Sequence, residues 1–279
     1  ARARRRDEPA CAAKKILGEQ NMRVLRMAAA AVAVLAAVSG AEAKDWSKVR
    51  IGTEGAYPPF NSLTADGQLI GFDIDIAKAL CEEMKVECEF VTQDWDGMIP
   101  ALQAGKFDAV IASMSITEER KEKVDFTNKY YNTPPAIAVP KDSALTGTSD
   151  EDLKGVALGA QSSTTHSNYA EEKLPSADLK LYPTPDEYKL DVASGRVDAV
   201  IDDVVVLSDW LATDDGACCK LLGTLTPDPV INGEGAGIAI RKDDGELKEM
   251  FNKAIEGILA NGKYKEINDK YFTFDVYGG

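Results

Sequence analysis

Short apolar runs alternate along most of the chain with segments whose apolar residues recur every three to four positions. The stretch 49–53 reads as a strand. A helix opens over 71–81, because Ile74, Ile76, Ala77 and Leu80 fall on roughly one face. Strands follow at 89–92 and 107–111, with a helix over 98–104 between them. The second of these strands is apolar apart from Asp108, as expected for a parallel strand covered on both faces. The pattern resumes with strands at 156–158, 180–182 and 197–201. A strand at 238–240, a helix over 246–260 and a last helix within 264–271 close the chain. Such alternation predicts an α/β fold with mostly parallel sheets flanked by helices.

The decapeptide 102–111 (Leu-Gln-Ala-Gly-Lys-Phe-Asp-Ala-Val-Ile) returns in close likeness at 192–201 (Val-Ala-Ser-Gly-Arg-Val-Asp-Ala-Val-Ile). Each copy reads as a helix end, a glycine stop (Gly105, Gly195), a basic residue and a short buried strand. The first runs into Ala112 and Ser113, the second into Asp202 and Asp203. The repeat implies two related lobes, each offering a strand end to a shared cleft. Ligands collect beyond the carboxyl ends of strands in open α/β sheets, so Ser113 and Asp203 are the first candidates for facing one ligand from two sides. Segments 132–135 and 231–237 read as crossovers. They divide the chain into a first lobe (44–134), a second lobe (135–232) and a return to the first (233–279), with two strands at the hinge.

Residues 22–43 have the build of a cleaved secretory signal: Arg23 and Arg26, an apolar core over 27–38, and the Ala41-Glu42-Ala43 cleavage site. That core is shorter than the roughly 20 residues that cross a bilayer. Export from the cytoplasm is expected. Residues 1–21 fit no export signal and read as an extension upstream of the native start. Without residues 1–43 the chain carries 24 basic and 42 acidic residues, a net charge of −18. So acidic a surface argues against nucleic acid or anionic membrane as partner.

Four cysteines remain, and an even count in an exported chain points to disulfides. Cys81 and Cys88 lie either side of a helix-to-strand turn, where a bridge closes easily and is worth about 2–3 kcal/mol in the chain-entropy model. For the neighbours Cys218 and Cys219, a strained bond and a pair of free thiols both stay open. The lone histidine, His166, has no metal-binding partner close in sequence, so no metal site is expected. No cofactor is expected either.

Three constellations carry chemistry. Ser113, Ser115, Thr117, Glu118 and Arg120 follow a buried strand and open a helix, with Ser115 and Glu118 at capping-box spacing. A helix start offers N–H groups to an anion, and Arg120 adds a planar grip on a carboxylate. The plain alternative is a capped helix whose arginine pairs with Glu118 or Glu119. Gln161, Ser163 and Thr164 stand between a strand and a helix of the other lobe, able to hold the same carboxylate or simply to cap. Asp203 suits an ammonium, or an N-cap for a helix beginning at Val204. Tyr57 and Trp95, with Glu54 nearby, suit a cationic side chain through cation–π contact. Their plain alternatives are a packed Trp95 and a solvated Glu54.

The runs 51–60, 71–75, 94–100 and 113–117 with Arg120, and the closing 270–277, resemble the periplasmic amino-acid-binding proteins of ABC importers (solute-binding protein family 3). Within that family the likeness is to the lysine, arginine, ornithine and histidine branch, and it spans residues 44–279. It implies a two-lobed, hinge-bending fold that closes on one amino acid and presents it to an inner-membrane permease. Carried over by position, it gives Arg120 the α-carboxylate, helped by Ser115 and Thr164. Asp203 and Ser113 take the α-ammonium, Tyr57 and Trp95 sandwich the side chain, and Glu54 meets its distal charge. Gln161 and Ser163 line the second lobe, and Cys81 with Cys88 matches a disulfide of that branch. Glu54 stands where the branch commonly has Asp, and Ala112 where serine is frequent. Glu54 with Trp95 is also similar to binders of opines. Dehydratases share the fold, but no nucleophile–base pair is evident here, so a monomeric binder and not an enzyme is expected.

Overall fold

The computed structural model describes residues 44–278. The export signal read at 22–43 and the extension read at 1–21 lie outside the described residues. The chain starts with β1 (Lys48–Thr53), passes through a small antiparallel sheet of β2 (Ala56–Tyr57), β3 (Asn61–Leu63) and β4 (Leu69–Ile70), and enters α1 (Phe72–Met84). There follow β5 (Glu87–Thr92), α2 (Met98–Gln103), β6 (Ala109–Val110), the single turn α3 (Glu118–Lys121) and β7 (Asp125–Tyr131). The second lobe is built from β8 (Pro135–Pro140), β9 (Ala157–Gln161), α4 (Thr165–Lys173), β10 (Asp178–Tyr182), α5 (Pro185–Ala193), β11 (Ala199–Asp203), α6 (Val204–Leu211) and β12 (Cys219–Thr224). After α7 (Pro229–Asn232), β13 (Ala236–Ile240) returns to the first sheet, and α8 (Gly245–Ala260) and α9 (Lys263–Tyr271) pack over it.

The two main sheets have matching strand orders, β5-β1-β6-β13-β7 and β10-β9-β11-β8-β12. In each, one strand (β13 or β8) runs antiparallel to both neighbours and the other four share a direction. The repeated decapeptide occupies equivalent places, α2–β6 in one sheet and α5–β11 in the other. Both copies therefore end at the same edge of their lobes, where Ser113 and Asp203 emerge.

Local chemistry explains the frame. Asp108 is the one charge in its strand because Arg50 and Arg241 clasp its carboxylate at 2.8 and 2.9 Å, and together they hold the carboxylate below the usual range against the opposing pull of burial. Gly71 begins α1 at φ 124°, and a Cβ there would lie 2.3 Å from the Phe60 carbonyl oxygen. The helix ends on Lys85 in the left-handed region, and the Cys81–Cys88 disulfide, with Cα atoms 6.2 Å apart, ties that end to β5. Phe60, Phe72, Tyr131 and Phe272 meet ring to ring beneath the cleft floor.

Two details differ from the sequence expectation. The strand expected over 107–111 pairs only at Ala109–Val110. Ser115 is not the cap of α3. It forms an isolated β-bridge with Ala236, so its backbone stays extended and the helix starts later, with the Thr117 hydroxyl accepting the Arg120 N–H at 3.3 Å.

Candidate functional site

Most of the cleft residues sit at strand ends because buried parallel strands hand the chain to the lobe edge at their carboxyl termini. Glu54 follows β1, Tyr57 lies in β2, Trp95 opens a 3-10 turn (Trp95–Gly97), and Ser113 and Ser115 follow β6. From the other lobe come Gln161 at the end of β9, Thr164 as N-cap of α4 with a capping box to Ser167, and Asp203 at the end of β11. Glu54, Tyr57, Trp95, Ser113, Ser115, Arg120, Gln161 and Thr164 line one cavity, joined by Ala112, Thr165 and His166. Asp203 faces an adjoining space that shares Tyr57, Ser113, Ser115, Thr165 and His166 with it. Ser163 lines the outer cleft beside Trp95 and Arg120.

Arg120 is the cation of this site. Its guanidinium donates to the Ser115 carbonyl at 3.0 Å and to the Ser163 carbonyl at 3.2 Å, and lies 5.3 Å from the Trp95 ring centroid. No carboxylate among the described residues forms an ion pair with it, contrary to the plain pairing with Glu118 or Glu119. Burial pulls its pKa down to about 10. A buried guanidinium without a counter-ion favours an incoming carboxylate.

Ser113 and Ser163, on opposite walls, both adopt left-handed backbone, φ 56° and 58°. Such conformations persist only where surroundings over-determine them. At Ser113 the cause is visible: its N–H donates to the Tyr130 hydroxyl at 3.0 Å and its own hydroxyl to buried Asp73 at 3.0 Å. Asn61 and Tyr130 donate to the same carboxylate, whose pKa burial pushes up to about 6.

The acidic side of the site is Glu54, Asp202 and Asp203. Glu54 accepts a hydrogen bond from Gln161 across the cleft at 2.7 Å, and burial raises its pKa to about 7. Asp203 caps α6 through the Val205 N–H at 2.7 Å and accepts from the Thr133 hydroxyl; burial raises it too, to about 7. The capping alternative for Asp203 is thus realised, with its second oxygen turned to Thr133. Asp202 was missed as a site residue, although it stands beside Asp203 in the repeat. It accepts from Tyr57 of the first lobe at 2.5 Å, from Tyr188, and from the Asp203 N–H at 2.7 Å. His166 places Nδ1 3.1 Å from Asp202, while burial lowers its pKa. Further bridges join the walls: Trp95 donates to the Ser163 carbonyl at 3.1 Å and Ser162 to Asp96 at 3.1 Å.

The sequence profile of the bacterial extracellular solute-binding proteins, family 3, matches residues 49–274. The chain belongs to this family. The L-arginine-binding protein of Pseudomonas aeruginosa is 52% identical over 233 residues, 82% of this chain and 90% of that protein. The histidine-binding periplasmic protein of Salmonella typhimurium is 37% identical over 261 residues, 92% of this chain and all of that protein. The solved structure of an ancestral arginine-binding protein bound to arginine superposes with a TM-score of 0.75 at 40% identity, covering 81% of this chain and 98% of that one. Two lobes around a cleft are therefore the architecture of this family-3 chain, as its motifs implied.

Proposed function

We propose that this family-3 protein is the periplasmic substrate-binding component of an ABC-type amino-acid importer, a monomer that takes a cationic L-amino acid, arginine foremost, and delivers it to an inner-membrane permease. The observation that carries the reading is the pairing of opposite needs in one cavity. Among the described residues, Arg120 is a buried cation without an ion-paired acid, and Glu54 is a desolvated carboxylate without an ion-paired base. A zwitterion with a basic side chain answers both, its α-carboxylate at Arg120, Ser115 and Thr164 and its distal charge at Glu54. Ser113 and Asp203 would then hold the α-ammonium, Tyr57 and Trp95 the aliphatic stem, and Gln161 and Ser163 the second wall. The arginine-binding relatives support this choice of ligand.

Closure follows from contacts made to both lobes at once, since a ligand shifts the open–closed equilibrium only through its differential affinity for the two states. A binding role, as opposed to an enzymatic one, is supported by the engagement of the cleft acids. Glu54 is held by Gln161, and Asp203 by Val205 and Thr133, so neither is poised as a free general base. Calorimetry with arginine, lysine, ornithine, histidine and octopine tests the assignment. Arginine is expected to bind tightest, unchanged on recovery. Arg120→Ala is expected to lose about 2–5 kcal/mol of affinity for each of them, and undiminished binding by that variant would refute the site.

A further inference from the structure

Away from the cleft, the turn before β12 brings two thiols into contact. Cys218 is exposed and Cys219 is buried against the second lobe's core. Their sulfur atoms stand 3.1 Å apart, closer than two sulfurs sit in ordinary van der Waals contact. The backbone fixes the pair: the Cys218 carbonyl accepts from the Lys141 N–H at 2.9 Å, and the Cys219 N–H donates to Gly216 at 3.0 Å. Cys219 also holds register with Pro140 on β8, so neither cysteine is free to swing away.

Adjacent Cα atoms lie about 3.8 Å apart, below the roughly 4.4–6.8 Å that relaxed disulfides span. A bond between these neighbours therefore stores strain and reduces more readily than one at ordinary spacing. The Cys81 and Cys88 Cα atoms, at 6.2 Å, fall inside the relaxed range. The two pairs differ in kind: one is a disulfide at relaxed spacing, the other two neighbouring thiols in contact.

We propose that Cys218 and Cys219 form a redox modification site, a vicinal dithiol that a small disulfide oxidant converts reversibly into a disulfide between neighbours. The exposed Cys218 thiolate attacks the oxidant disulfide, forming a mixed disulfide and releasing one thiolate. Cys219 then gives up its proton and attacks the Cys218 sulfur, closing the ring and releasing the second thiolate. Two protein thiols are oxidised, one oxidant disulfide is reduced to two thiols, and the two protons pass to the released thiolates.

Burial and the neighbouring sulfur push the Cys219 thiol up to about 12. The second step therefore speeds up with rising pH, and proximity compensates for the scarcity of thiolate. Cys219 is buried and Cys218 exposed, which sets the order of attack.

The test uses the folded protein, mildly reduced, then exposed to oxidised glutathione, unfolded in denaturant containing iodoacetamide and digested with trypsin. Peptide 197–220 carries both cysteines, whereas Cys81 and Cys88 fall in separate peptides, 79–85 and 86–106. The expected product is peptide 197–220 lighter by two hydrogens and unalkylated, restored to two alkylated thiols by mild reductant that leaves Cys81–Cys88 linked. Cys219→Ser should hold glutathione stably on Cys218, and Cys218→Ser should leave Cys219 unmodified. Two alkylated cysteines after oxidant, a lasting glutathione adduct in the parent, or a disulfide-linked dimer would each overturn the proposal.

Discussion

The Tyr57 hydroxyl of the first lobe donates to Asp202 of the second at 2.5 Å, across 145 residues of sequence. It is a hydrogen bond to a carboxylate, the class worth about 1.5–3 kcal/mol, and it ties one lobe to the other. Tyr57→Phe keeps the ring and removes the latch. The variant should release arginine at least about tenfold faster with an unchanged association rate. Stopped-flow fluorescence separates the two rates, and an effect confined to association would count against a latch.

Glu54 decides the charge of the side chain accepted. Glu54→Gln keeps the shape and removes the acid, so arginine affinity should fall roughly tenfold or more while its neutral isostere citrulline gains. Competition calorimetry with the two ligands reads the ratio directly. Parallel losses for both would place the arginine side chain elsewhere.

Closing the empty cleft is expected to take up protons. Burial raises Glu54 and Asp203 to about 7, above their ordinary values of 4.5 and 3.8. A carboxyl raised in the closed state favours closure below that value and opposes it above. Between about pH 7 and pH 4 the ligand-free protein should therefore become more compact as acid is added. With a cationic ligand in place of the protons the dependence should weaken. Small-angle scattering of both forms checks this, and an empty protein whose radius ignores pH would contradict it.

Gly71 carries a structural prediction. Alanine there is strained at φ 124° and drives its Cβ against the Phe60 carbonyl, a backbone atom that cannot step aside. The loss should reach about 2 kcal/mol or more. Denaturant unfolding measures it, and Gly105→Ala, with open space around its Cβ but φ 75°, is the milder comparison.

What the amino-acid pattern revealed was local in origin. Strand β1 and helix α1 announce themselves by patterns within a dozen residues, and the decapeptide by its return ninety positions on. Arg120, Glu54 and Gln161 were legible as chemistry, and the family motifs supplied their partners. The crossover read at 132–135 runs straight into β8, a strand not expected from the pattern, whose prolines stand at its two ends and cost it little. Asp202 was passed over for a deeper reason. Its role arises from Tyr57, Tyr188 and His166 meeting it from other segments, a meeting that no spacing encodes. Ser115 was misread as a cap because its bridge partner, Ala236, lies in the returning strand.

That returning strand also dictates the order in which the molecule can be assembled. β13 sits between β6 and β7, and β7 has no other neighbour in its sheet. A ribosome that has made everything up to residue 235 has therefore produced a second lobe with all its strands and a first lobe with a gap in the middle. The lobe encoded first is finished last, by the final stretch of the polypeptide.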